Sequence, residues 1–286
     1  MTADLERPQA ADTGAGLLEK EARLTDHLSR LGSVIVAFSG GTDSAYLAYA
    51  AHTILGDRAL AVTADSASYP SRHRAIAAGL ASQYRLRHEF IVTDEMDNAD
   101  YRANAPDRCF HCKTELFGKL TAMARARGFA AVLDGANADD RGDYRPGRQA
   151  ARDHGVLSPL DAAGLTKAEI RELSRRAGLP TWDQPASACL SSRIPYHSEV
   201  TREKLQTIEQ AENALAALGF RVFRVRHHGD LARIEVGPDE LARAFEPPMR
   251  AAIVRDVKAA GYQYVTLDLQ GYRMGSLNEG ILLTAV

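Results

Sequence analysis

Val34-Ile35-Val36-Ala37-Phe38-Ser39-Gly40-Gly41-Thr42-Asp43-Ser44 is an apolar, β-branched run that breaks into glycines and hydroxyls. Val34 to Phe38 suits a strand buried on both faces, and Ala45 to Ile54 is apolar enough for a helix. The segment between them is therefore a strand-to-helix loop. Gly40 and Gly41 let the backbone turn tightly and approach a ligand, while Ser39, Thr42 and Ser44 set hydroxyls beside the free N–H groups of a helix N-terminus. Such a loop is a seat for phosphate. It is not the GxxxxGK[ST] P-loop, because no lysine ends it, and it is not GxGxxG. On local grounds a plain Gly-Gly turn stays open.

Reading outward, Ala59 to Ala64 is a second strand ending at Asp65, followed by a helix through Arg72 to Tyr84 and a third strand near His88 to Val92. A helix from about Lys113 to Arg127 precedes a buried strand, Ala130 to Leu133, which runs into the polar stretch Asn137 to Asp143. Strands and helices alternating at this spacing predict an α/β fold with a doubly wound parallel sheet. Ligands of such sheets sit beyond the carboxyl ends of the strands, where the SGGTDS loop, Asp65, Asn137 and Asp139 all fall. A smaller α+β domain is predicted after Pro195. It has a helix over Thr201 to Leu218, a hairpin of Phe220 to Arg226 and Leu231 to Val236 turning at His228-Gly229-Asp230, a helix in Pro238 to Ala260, and a last strand, Tyr264 to Leu269. The expected organisation is a flexible tail over 1–15, a nucleotide-binding domain over 16–194 and a substrate and oligomerisation domain over 195–286.

With 35 Lys and Arg against 37 Asp and Glu, the net charge of −2 over 286 residues implies no general field for polyanions. The first residues lack the apolar core of a signal peptide, and no stretch approaches the ~20 apolar residues that span a bilayer. Three cysteines, an odd number, argue against a disulfide scaffold and for a reduced, cytoplasmic setting. Cys109-Phe110-His111-Cys112 is a CxxC, and Cys189 stands in Pro185-Ala186-Ser187-Ala188-Cys189-Leu190-Ser191-Ser192-Arg193. Spacing alone leaves open a structural zinc completed by a histidine, buried thiols without a role, or an iron–sulfur cluster. Three thiolates on a cubane leave one iron for an exogenous ligand such as sulfide.

SGGxDS resembles the pyrophosphate-binding loop of the PP-loop ATP pyrophosphatase superfamily, with its adenine nucleotide α-hydrolase-like fold. RCFHCK, DGANADDRGDYRPGRQAA, GVLSPL and PASACLSSRIPY further resemble the LarE family, the sulfur-inserting enzymes of nickel-pincer cofactor biosynthesis, over about residues 16–286. The resemblance implies that ATP, with Mg2+, adenylates a carboxylate of a pyridinium dicarboxylate mononucleotide, and that sulfur then displaces AMP. A second round gives the dithiocarboxylate. The logic suits the residues, since a carboxylate is a poor electrophile until AMP becomes its leaving group. In single-cysteine members the residue at the position of Cys189 gives up its own sulfur. This chain departs from them by carrying Cys109 and Cys112 as well, which favours a [4Fe–4S] cluster fed by a sulfide source.

The same resemblance places Ser39 to Ser44, Asp65, Asn137 and Asp139 at the nucleotide, with Asp43 orienting magnesium and Asp139 and Asp140 assisting. It puts Ser192 and Arg193 against the nucleotide substrate or the activated carboxylate. Arg224 and Arg226 alternate on one face of their strand, as a grip on a substrate phosphate requires. Glu212 and Glu235 fall near that site, and His227 and His228 read as turn residues. The implied partners are a mononucleotide and a second copy of the chain in a homo-oligomer, with neither nucleic acid nor membrane. The nearest rivals are a tRNA thiolase, for which a near-neutral chain is poor support, and an ammonia-dependent synthetase, which has no use for the cysteines. A non-catalytic nucleotide binder with structural zinc is a third.

Overall fold

The computed structural model describes residues 12–141, 146–185 and 188–273. The tail up to residue 11, Asp143 of the polar stretch, Ala186 and Ser187 of the cysteine motif and the chain beyond Arg273 lie outside the described residues. The first half runs α1 (Asp12–Leu31), β1 (Val34–Ala37), α2 (Thr42–Leu55), β2 (Ala59–Asp65), α3 (Ser71–Gln83), β3 (His88–Val92), α4 (Ala99–Arg102), α5 (Arg108–Arg127) and β4 (Ala131–Leu133). There follow α6 (Pro146–Asp153), α7 (Pro159–Ala162), α8 (Lys167–Arg176), α9 (Arg202–Ala217), β5 (Phe223–His228), β6 (Leu231–Val236), α10 (Leu241–Phe245), α11 (Pro247–Ala259) and β7 (Tyr264–Leu267). By contacts the chain divides into two compact units, one of Met1–Thr63, Ala77–Phe90 and Phe117–Gln184, the other of Ala64–Ile76, Ile91–Leu116 and Pro185–Val286. No helix among the described residues is long and apolar enough to cross a membrane.

The first unit is built on a four-stranded sheet of order β3-β2-β1-β4. β1 pairs in parallel with β2 on one side, Val34 opposite Ala59, and with β4 on the other, Val34 opposite Ala131. Val34, Ile35 and Val36 are buried, as a central strand covered on both faces demands. The chain leaves β1 toward β2 and returns to β1's other edge as β4, so a topological switch point opens at the carboxyl ends of β1 and β4. α2 packs against α1 and α8. The reading above contains no helix before β1; α1 buries Leu17, Leu24 and Leu28, and its first residues take up the end of the expected tail.

In the second unit β5 and β6 form the expected antiparallel hairpin, Phe223 opposite Val236, and β7 joins β6 in parallel. Leu215, Val225, Ile234, Val236 and Val257 make its core with α9 and α11. The helix expected over Pro238 to Ala260 is broken: Glu246 is extended, with φ −58° and ψ 133°, because Pro247 excludes the α region for the residue before it. A second cluster of Met96, Tyr101, Leu190, Ile194, Leu205 and Ile208 has Cys112 packed against it.

Candidate active site

The SGGTDS loop belongs to the first unit. Gly40 holds φ +69°, where a side chain is strained, and a Cβ there would meet the Ala77 backbone at 3.2 Å. Gly41 caps α2 without any side-chain cap, so the N–H groups of the first turn stay available to a ligand. The hydroxyls do different work. Ser44 Oγ accepts from Ser39 N at 3.1 Å and donates to Gly41 O at 3.1 Å, while buried Thr42 Oγ1 donates to Thr181 O at 2.8 Å. They brace the loop by taking Ser39 N and Gly41 N, and the amides of the first turn of α2 are the ones that remain for an anion. Gly135, just past β4, lies so close to the start of α2 that a Cβ would stand 3.0 Å from Ser44 N.

Asp43 sits in the first turn of α2, where Oδ2 accepts from Lys167 Nζ at 2.6 Å and Oδ1 is buried without a partner among the described residues. Burial raises its pKa above the ordinary value against the pull of Lys167, with Asp140 adding repulsion. Lys167 opens α8, held by the capping box of Thr166 and Glu169. Asp139 Oδ2 accepts from Lys167 N at 2.9 Å, and Asn137 caps its own turn, accepting from Asp139 N at 3.0 Å while Asp140 Oδ2 accepts from Asn137 N at 3.0 Å. Asn137 and Asp139 thus spend these side-chain oxygens on the frame that presents Lys167.

Cys109, Cys112 and Cys189 all fall in the second unit and are free thiols. Cys109 and Cys112 are three apart in the first turns of α5, hence on one face. Cys189 precedes the 3₁₀ turn Leu190–Arg193. Cys109 is exposed as a residue, yet desolvation at its thiol raises the pKa, and the Cys189 thiol adds to the rise while Arg108 opposes it. Cys112 is pushed up by burial, then by Glu95 and by Cys189. Each CxxC thiol is therefore within electrostatic reach of Cys189. The turn behind Cys189 is tied down from several sides: Ser191 Oγ bonds Tyr101 OH at 2.6 Å, Ser191 O accepts from Arg108 Nη1 at 2.9 Å, and Leu190 N donates to Ser68 O at 2.8 Å.

Arg193 is 1% exposed. Its Nε and Nη2 donate to the two Glu212 oxygens at 2.8 and 3.0 Å, and Nη1 donates to Cys189 O at 2.9 Å and Ser192 Oγ at 2.8 Å. Ser192 Oγ in turn donates to Cys189 O at 2.8 Å. Arg193 is thus not solvated; it and Ser192 clamp the Cys189 carbonyl. Arg226 is similarly engaged, with Nε and Nη2 on Glu235 at 3.0 and 2.7 Å and Nη1 on Ser192 O at 2.8 Å. Arg224 stacks on Tyr272 at 4.9 Å, and burial followed by the Arg193 charge lowers its pKa to about 10. His227, expected in a turn, is buried within β5 with Nδ1 3.0 Å from Tyr262 OH. Asp65 pairs with Arg74.

No family model matches the chain. It is 42% identical over 263 residues to an uncharacterized protein of Synechocystis sp., covering 92% of this chain and 98% of that one. It is 36% identical over 266 residues to the pyridinium-3,5-bisthiocarboxylic acid mononucleotide synthase of Lactiplantibacillus plantarum, covering 93% of this chain and 96% of the synthase. The chain belongs to the LarE family. An uncharacterized protein of Methanocaldococcus jannaschii is 29% identical over 240 residues, 84% of this chain and 90% of its own length.

For a LarE family chain the metal residues need a test of fit. Among the described residues no three His, Cys, Asp or Glu side chains are grouped to hold one metal ion, so Cys109, Cys112 and Cys189 form no ready zinc site. A lone zinc needs sulfur at about 2.3 Å from every ligand. A four-iron cluster is a broader body, and three thiols in mutual electrostatic reach are the donors it takes. For magnesium, Asp43 Oδ1, buried and without a partner among the described residues, is a fitting oxygen. Sequence reasoning missed Lys167, Arg108, Arg72 and His73. Lys167 alone carried a local signal, the Thr-x-x-Glu capping box that begins its helix.

Proposed function

We propose that the chain is an ATP-dependent sulfur transferase that converts the carboxylates of pyridinium-3,5-biscarboxylic acid mononucleotide to thiocarboxylates, releasing AMP and pyrophosphate. The observation that carries this reading is the Cys189 carbonyl clamped by buried Arg193 and Ser192, within electrostatic reach of two further thiols, in a chain of the LarE family. A substrate carboxylate oxygen attacks the α-phosphorus of ATP, the α–β phosphoanhydride bond breaks, and pyrophosphate leaves. The amides of the first turn of α2 would hold the departing oxygens, Lys167 would neutralise them, and Asp43 would hold Mg2+ through Oδ1. Sulfide then attacks the acyl adenylate and AMP departs with the electron pair of the broken C–O bond.

Cys109, Cys112 and Cys189 would hold a [4Fe–4S] cluster, which supplies sulfide at an iron that no thiolate ligates. Desolvation of the Cys112 thiol, with Glu95 and Cys189 beside it, favours its protonated form in the metal-free chain, so loading releases a proton there. A second reading, in which Cys189 gives up its own sulfur, draws on the absence of a grouped metal site among the described residues. Anaerobic reconstitution with iron and sulfide separates them. The cluster reading expects about four irons per chain, lost in Cys109→Ala, with several turnovers and an unchanged polypeptide mass. Loss of one H₂S from the chain after a single turnover means that Cys189 is consumed.

A further inference from the structure

The chain has one tryptophan, Trp182, and it is 41% exposed. A single apolar side chain at the surface ordinarily needs no explanation, so its meaning depends on what holds it there. Two tethers tie its segment to the phosphate loop, all within the first unit. Thr42, the first residue of α2, donates through Oγ1 to Thr181 O at 2.8 Å, and Arg171 Nη2 donates to Gln184 O at 3.2 Å. Arg171 lies on α8, one turn beyond Lys167 and within electrostatic reach of Asp43. The segment itself is a tight double turn, with Trp182 N donating to Leu179 O at 3.2 Å and Gln184 N to Thr181 O at 3.1 Å. An exposed indole is therefore fixed one residue from the contact that Thr42 makes, beside the helix turn whose amides suit a phosphate.

The same segment carries buried polar atoms that no described residue satisfies. Thr181 is buried, and its Oγ1, like Arg171 Nε and Gln184 Oε1, has no partner among the described residues. Such atoms cost free energy until something pairs with them. Thr181 Oγ1 and Arg171 Nε can donate, which suits a ligand that carries carboxylates. Indole adds a different kind of recognition. Of the aromatic side chains it is the best partner for a cation, which its ring quadrupole attracts to the face.

We infer that Trp182 is the platform on which the pyridinium ring of the substrate stacks while a ring carboxylate meets the α-phosphorus of ATP. The chemistry limits where that ring can lie. Reacting atoms approach to about 3–3.5 Å, and the carboxylate is bonded directly to the ring, so the ring stands beside the phosphate seat. The adenine base is held away from the same phosphorus by its ribose and carries no charge, which gives it the weaker claim on this indole. The inference rests on the reading that the substrate is a pyridinium mononucleotide, and adds to it the residue that recognises the cationic ring.

A lone tryptophan makes the test direct, because all indole emission comes from the proposed contact. Full-length wild type, Trp182→Leu and Trp182→Phe are titrated calorimetrically with pyridinium-3,5-biscarboxylic acid mononucleotide and, separately, with α,β-methylene-ATP; wild type is also followed by fluorescence. The mononucleotide is expected to quench wild-type emission saturably, since a pyridinium accepts an electron from excited indole. Trp182→Leu, which keeps apolar bulk without a π face, is expected to lose about tenfold in mononucleotide affinity and nothing for the ATP analogue, with Trp182→Phe between it and wild type. A loss for the ATP analogue as large as that for the mononucleotide, no loss for either, or no quenching overturns the role of Trp182 and leaves the substrate reading intact. A wild type that does not bind the mononucleotide overturns the substrate reading and the inference with it. The quenching needs no variant, so it decides the matter even where a variant melts early.

Discussion

Neutralising Glu212 is expected to do more damage than removing the arginine it pairs with. Glu212 is buried and accepts from Arg193 Nε at 2.8 Å, Arg193 Nη2 at 3.0 Å and Val225 N at 3.1 Å. Burial works to raise its pKa, but the Arg193 charge and hydrogen bonds, with Arg224 and the Val225 amide, outweigh burial and hold it below the ordinary carboxylate value. Removing one partner of a buried pair costs about 3–5 kcal/mol, since the other charge is left uncompensated. In Glu212→Gln the stranded charge is Arg193, with Arg72 and Arg224 repelling it, so the loss belongs at the upper end, about 5 kcal/mol. In Arg193→Met, Glu212 still faces Arg72 and Arg224, and about 3 kcal/mol is expected. Because the folded pKa is depressed, this stabilisation is complete above the unfolded value of about 4.3 and fades as pH falls through the lower folded value. Urea unfolding at pH 7 and pH 3 measures both effects, and hydrogen exchange at the Val225 amide reports the site itself. A larger loss in Arg193→Met than in Glu212→Gln, or losses below about 1 kcal/mol in both, refutes the charge argument.

His73, ordinarily near 6.5 and lowered to about 4 here, is held neutral by burial and by Arg72. Stability should therefore be complete above about pH 6.5 and fall by about 3 kcal/mol toward pH 4; His73→Gln should flatten that slope, and parallel curves would contradict it. Gly135→Ala puts a Cβ 3.0 Å from Ser44 N and should raise the KM for ATP, while Gly79→Ala, with open space around it, should leave KM unchanged; equal behaviour of the two counts against the close approach. Asp43→Asn should slow carboxylate-dependent pyrophosphate release about a hundredfold, assayed with coupled pyrophosphatase, and ADP as product would remove the chain from the pyrophosphate-releasing class.

The four central strands, the hairpin and the glycine turn after β1 were legible because each depends on a short local pattern. A run such as Val34 to Phe38 has only one economical place, the middle of a covered sheet, and Gly40 and Gly41 after it permit one kind of turn. The proline at 247 was equally local, yet its break was hidden by helix-forming residues on both sides. The family followed from motifs that stay contiguous in sequence.

The partners of the charged groups were not legible in that way. Arg193 looks the same in sequence whether it faces a substrate or lies buried on Glu212, and Arg226 gives no hint that Glu235 takes both ends of its fork. Nothing in the sequence says that α8 brings Lys167 N to Asp139 Oδ2, or that Phe223 of β5 lies beneath Arg72. The sequence determines which strands and loops form, because backbone geometry and apolar burial are set by neighbours along the chain. Only the tertiary structure decides which charge meets which, because Coulomb energy depends on distance and burial, and both are set by segments far apart in sequence.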